Sequence, residues 1–303
     1  MIKKLEEMNL LDNFLFGSVV TYPEIGENFT RILLKIIFGR EFKHLSVYPQ
    51  KVFYGSDSNF HGTRLDVYLE EKTDDGEFSE QATVYDIEPD KNDGVESINA
   101  LPYRLRFYHA KIDARSLNSG NGYEKLKNVI IIMIMPYDPF GLNRMVYTIK
   151  NSCIEAPEME YEDGARTLFL YTNGTKDNPK KALKQLMHYM EDTTTQNAVN
   201  DDLMYIHTMV KTVKQDAEVT IKHMRLMEDE CFLLERGKIY NLISQVCKKV
   251  EKQKTLSEAA EDLEQDLSVI EPIYEAAEEF APDYDYELIY EHLKKNKKLP
   301  HLK

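Results

Sequence analysis

Asp66, Glu88 and Asp90 are the residues of this 303-residue chain whose types and spacing could do chemistry together. Asp66 lies within the alternating segment GTRLDVYLEE, and Glu88 ends the next alternating segment, ATVYDIEPD. In a hairpin, carboxylates on neighbouring strands can face each other across the ladder. Residues two apart on a strand share a face, so Glu88 and Asp90 point the same way if the chain stays extended through Pro89. Three hard oxygen donors at one point suit Mg2+ or Mn2+. An ion held there would polarise a phosphodiester and lower the pKa of a bound water. Asp86 is a fourth acid on the same face. The chain has 52 acids, so a strand ending in Asp or Glu is also an ordinary feature. What sets these apart is the clear alternation of apolar and ring residues around them.

A second constellation follows in residues 97–117. Arg104, Tyr108, Lys111 and Arg115 recur at i, i+4, i+7 and i+11, one narrow stripe on a helix. Such a stripe, with Arg106 nearby, could grip phosphates. The plain alternative is a solvated helix whose Leu101, Leu105 and Ile112 face a sheet. His109 beside the stripe reads as packing. The eight histidines show no HxxxH or HExxH spacing, and no GxxxxGK[ST] or GxGxxG occurs.

These residues need elements to hold them. Apolar residues at helical spacing predict two helices over residues 10–40, closed by Gly39. From His44 the period falls to two. HLSVYPQKVFY, GTRLDVYLEE and ATVYDIEPD read as strands, with KTDDGEFSEQ as a hairpin connection. The next helix could start at Ser97 as N-cap, or near Leu101 with Pro102 in its first turn. VIIIMIMPY reads as a strand covered on both faces. RMVYTIKNSCI and RTLFLYTNG read as two more, with turns at Asp163–Gly164 and Asn173–Gly174. The first half is therefore an α/β unit of about six strands. After Pro179 the chain is poor in Gly and Pro and rich in Lys, Glu, Leu and Met, which predicts helices. The expected division is 1–178 for the α/β domain and 179–303 for an all-helical C-terminal region. Within that region the Met and Leu stripe at 203–234 reads as helix core, with a homo-oligomer seam as the alternative.

Composition excludes several classes. Hydrophobic residues make up 42% of the chain and charged residues 30%, too apolar for a disordered chain. Cys153, Cys231 and Cys247 form no CxxC pair, which argues against a thiolate zinc site and for a reducing compartment. The longest apolar run, Val129–Pro136, is less than half of the roughly 20 residues that span a bilayer. With no signal-peptide pattern at the N-terminus, a cytoplasmic protein without a membrane partner is expected. The net charge of −14 means that any contact with DNA must be local or helped by metal ions.

LDNFLFGSVV, GTRLDVYLEE, TVYDIE, LPYRLRFYHAKID and MPYDPFGLNRMVYTIKN, with the acidic-Gly turn before TLFLYTNG, resemble the Rpn-type recombination-promoting nucleases. These transposase-like proteins belong to the PD-(D/E)XK nuclease superfamily. The resemblance runs over about residues 10–180. It implies a restriction-endonuclease-like core, a mixed sheet flanked by helices. It also implies a metal-dependent DNA endonuclease associated with mobile DNA or recombination, using Mg2+ or Mn2+. The two metal acids would be Asp66 and Glu88, with Asp90 a further catalytic or metal-binding candidate. Arg104, Arg106, Tyr108 and Lys111 would contact DNA. The family pattern has Lys, or often Gln, two residues after the second acid, and Asp90 stands there instead. That departure raises the alternative of a catalytically degenerate nuclease fold acting as a DNA-binding or protein-interaction module.

Overall fold

The computed structural model describes residues 3–42, 45–53, 63–71, 83–117, 119–177 and 179–300, with the backbone alone at 49–53 and 63–66. Two compact units are present, residues 1–220 and 221–303. The change of composition at Pro179 thus marks where the helices begin, and the first unit continues to Thr220. The reason is packing: the first helices after Pro179 contribute Leu186, Met187, Tyr189, Leu203 and Ile206 to the same core as the N-terminal helices.

The first unit opens with α1 (Asn13–Thr21) and α2 (Gly26–Phe38). Gly39 ends α2 at φ 70°, the left-handed conformation that glycine adopts without a Cβ penalty. Then come β1 (Leu45–Phe53), β2 (Thr63–Glu71) and β3 (Thr83–Pro89). The connection expected between β2 and β3 lies outside the described residues. After α3 (Val95–Ser116) follow β4 (Asn128–Met135), β5 (Val146–Ile149) and β6 (Ala165–Tyr171). The unit closes with α4 (Lys181–Glu191), α5 (Asp201–Lys214) and the start of α6 (Ala217–Glu251). The six strands form one mixed sheet in the order β1-β2-β3-β4-β6-β5. β3, β4 and β6 run parallel, and the other pairings are antiparallel.

Helices cover both faces. On one, α1, α2, α4 and α5 bury Phe16, Phe29, Leu33 and Met187 against Val67, Leu69, Tyr85, Ile87, Ile132 and Ile134. On the other, α3 is the covering helix among the described residues and lays Leu101, Leu105 and Ile112 on Val84, Ile131, Met133 and Phe169. This is the α/β architecture expected, with β4 covered on both sides. Two local readings differ. α3 begins after Gly94, two residues before Ser97, and keeps Pro102 inside it. Pro102 is tolerated because it is exposed, so the bond it cannot donate is lost on the solvent side. β5 is only four residues long, shorter than the apolar stretch that suggested it.

The second unit has its own core. The remainder of α6 joins α7 (Leu256–Asp262), α8 (Leu267–Glu279) and α9 (Tyr286–Lys295) around Ile243, Val246, Ile270, Ile273, Ile289 and Leu293. Thr255 caps α7 in a reciprocal box. Its Oγ1 accepts the Glu258 N–H at 3.3 Å, and Glu258 Oε2 accepts the Thr255 N–H at 2.8 Å. No strand occurs among the described residues after β6, and none of the helices there is long and apolar enough to cross a membrane.

Candidate functional site

The alternation of β3 sends Tyr85 and Ile87 into the four-helix layer, and Val84, Asp86 and Glu88 toward α3. Asp86 is fully buried, Glu88 is 9% exposed and Asp90 7%. Burying three carboxylates is costly unless each finds compensation. Pro89 does not break the extended course. It still pairs with Ile134, and the Asp90 N–H donates to the Ile134 carbonyl at 2.9 Å. β4 supplies the floor beside the acids, with Ile131 next to Asp86 and Met133 next to Glu88.

Asp90 is held from two sides. Its Oδ2 accepts from Nη2 of Arg104, and its Oδ1 accepts the Asn92 N–H at 2.7 Å. Burial works against the Arg104 charge, but the hydrogen bond and charge of Asp90 outweigh it and hold the guanidinium pKa above its ordinary value. Tyr137 stands in the same corner. Burial first, and then the Asp90 carboxylate, push its phenol up to about 12.

β2 approaches from the other side. Tyr68 pairs with Asp86, Leu69 with Tyr85, and Glu70 with Val84. Position 66 lies on β2 two residues before Tyr68, where the pairing with β3 ends. The Asp66 side chain itself lies outside the described residues. Glu70, on the same face, accepts from Tyr68 Oη at 2.7 Å and from Lys127 Nζ at 3.0 Å. Burial, then the hydrogen bond to Glu70, raise the Tyr68 phenol. Among the described residues no group of three His, Cys, Asp or Glu stands in metal-holding geometry. Of the three acids singled out by the sequence, Glu88 and Asp90 are both described and both buried. Asp90 adds no donor to Glu88 while Arg104 and Asn92 hold it.

The expected basic stripe divides. Leu101, Leu105 and Ile112 set the buried face of α3, and Arg104, Tyr108 and Lys111 run along its margin. Arg104 turns in to Asp90, and Tyr108 packs against the sheet-side core. Arg106 and Lys111 lie over exposed rings instead. The Arg106 guanidinium carbon is 5.6 Å from the Tyr103 centroid, and Lys111 Nζ is 5.2 Å from that of Phe107. The two rings were not singled out by the sequence reading. Their signal was there, since positions 103 and 107 are i, i+4 and out of phase with 101, 105 and 112. His109, read as packing, is half-buried and bonds Thr167 Oγ1 through Nε2 at 3.1 Å. Burial lowers its pKa, opposed by the charge of Asp163.

The arrangement offers buried carboxylates at the C-terminal end of a parallel strand, one of them already neutralised by an arginine, next to a helix with cations on its outer side. Compared with family models, with curated proteins and with solved structures, the chain matches none of them.

Proposed function

We propose that the first unit is a metal-dependent DNA endonuclease with a PD-(D/E)XK-type core, hydrolysing phosphodiester bonds in mobile or recombining DNA. The observation that carries this reading is the buried Glu88 on the α3 face of β3, a strand paired with β2, which carries Asp66. A divalent ion held by this pair would supply a polarised phosphodiester and a water of lowered pKa. Glu88 and Asp66 would orient it. Arg106 and Lys111 would attract the DNA phosphates.

A second reading is a nuclease fold that binds DNA without cutting it. It is favoured by the Arg104–Asp90 pair, which puts a neutralised ion pair where the family pattern has Lys or often Gln. Plasmid nicking with Mg2+ and with Mn2+ separates the two. For the nuclease, wild type nicks, and Asp66→Ala and Glu88→Ala fall to background while remaining folded. Millimolar Mn2+ should also raise the melting temperature of wild type, and not of Asp66→Ala. DNA binding with no nicking under either metal selects the second reading.

A further inference from the structure

The outer face of α3 is unusual for so acidic a protein. From Ser97 to Ile112 the chain has no Asp or Glu and three cations, Arg104, Arg106 and Lys111, although its net charge is −14. The exposed residues of this stretch are Asn99, Ala100, Pro102, Tyr103, Arg106, Phe107 and Ala110. Tyr103 is 67% exposed and Phe107 37%. Aromatic rings are normally covered, and these two stand i, i+4 on one side of the helix among the uncharged Asn99, Ala100, Pro102 and Ala110. Arg106 lies over the Tyr103 ring and Lys111 over the Phe107 ring.

Flat rings flanked by Arg and Lys match the chemistry of a nucleobase joined to a phosphate. The ring face takes the base by stacking, and the cation takes the phosphate. The spacing narrows the choice. Residues four apart on a helix are separated by about 6 Å along its axis. Successive bases of a duplex are about 3.4 Å apart and already stacked on each other, so they have no face to offer. A stretched strand with unpaired bases has both the faces and the reach.

We propose that this face of α3 is a binding platform for unpaired nucleobases of single-stranded nucleic acid, with Tyr103 and Phe107 as the stacking rings and Arg106 and Lys111 as the phosphate contacts. The inference rests on the nucleic-acid reading above and specifies its substrate: a strand with unstacked bases, either single-stranded or locally opened.

The test is fluorescence anisotropy of the full chain in EDTA at low salt, so that cleavage plays no part. The probes are a labelled mixed-sequence single strand, its duplex, and an abasic strand of equal length. The single strand should bind at least about tenfold tighter than the duplex. Tyr103→Ala and Phe107→Ala should each weaken the single strand by about 5- to 150-fold. They should leave the abasic strand unchanged. Tyr103→Phe should retain binding, and a ribonucleotide strand should bind as well as the deoxy strand, because stacking does not read the sugar. Equal affinity for duplex and single strand would overturn the proposal. So would an equal loss on the abasic strand, or no binding to any oligonucleotide. The nuclease reading is scored separately. A wild type that nicks plasmid yet binds no single strand sinks this inference alone, and one that binds the strand but never nicks sinks cleavage alone.

Discussion

The sheet of the first unit separates two cores of different chemistry. The layer under α1, α2, α4 and α5 is apolar and aromatic, with Phe16 and Phe29 edge to face at 5.8 Å. Thr30, a buried polar residue on α2, returns its hydroxyl to the Gly26 carbonyl at 2.9 Å. Among the described residues the layer under α3 has one helix where the other has four, and it takes up Glu70, Asp86, Glu88, Asp90 and Thr167. Four helices can seal a sheet face completely, whereas one leaves margins where acids meet Arg104, Lys127 and Tyr68. The same strand, β3, serves both, since its period of two gives each layer its own residues. Stability is concentrated on one side of the sheet, and the candidate chemistry on the other.

The largest effect should come from the apolar side. Phe29→Ala removes a fully buried ring and is expected to cost about 3–5 kcal/mol. Urea unfolding at unchanged m would measure it. A loss below about 1 kcal/mol would mean that this layer is not the tighter of the two.

On the α3 side the expected losses are electrostatic and smaller. Arg104→Ala strands the buried Asp90 carboxylate, whose side chain is 8% exposed. Breaking a buried pair costs about 3–5 kcal/mol. Arg104 is itself 33% exposed, so water screens part of this and about 1–3 kcal/mol is expected. Adding Asp90→Asn should recover part of the loss in a double-mutant cycle. If Arg104→Ala were neutral, the pair would be idle and Arg104 would be available to a phosphate.

The third effect depends on pH. Burial lowers the His109 pKa from 6.5, so below that value the unfolded chain binds the proton more readily. The His109 contribution is complete at pH values above the unfolded pKa, and is lost as pH falls through 6.5 toward the folded value. His109→Gln should therefore reduce the drop in melting temperature between about pH 7.5 and 5.5. His207 in the other layer is shifted the same way by burial, Lys214 and Lys211, so some of the drop should remain. An unchanged drop in His109→Gln would remove His109 from the account.

The smallest effect belongs to the outer side of α3. Tyr103→Ala touches no core and should change stability by less than about 0.5 kcal/mol. A larger loss in a thermal melt would show that the ring supports the fold, and it would then be a poor probe of ligand binding.

Much of this architecture is written in local pattern. Alternation in TVYDIEP puts Asp86 and Glu88 on one face whatever the sheet does next. Gly39 stops α2, and Thr255 with Glu258 starts α7, through contacts within a few residues. The six strands and the helical character after Pro179 follow from period and composition. The sheet order and the domain edge do not. Whether α4 and α5 belong with the α/β core or with the later helices depends on which apolar faces meet, and that is a long-range fact. The same holds for α3. Its residue spacing places Arg104, Tyr108 and Lys111 on one margin, but spacing does not say what stands opposite. Asp90, carried there by β3 and anchored to β4, draws Arg104 inward and leaves Arg106 and Lys111 over exposed rings. A helix sets the direction of its side chains from its own dihedrals, but their partners come from a strand distant in sequence, and only packing brings the two together.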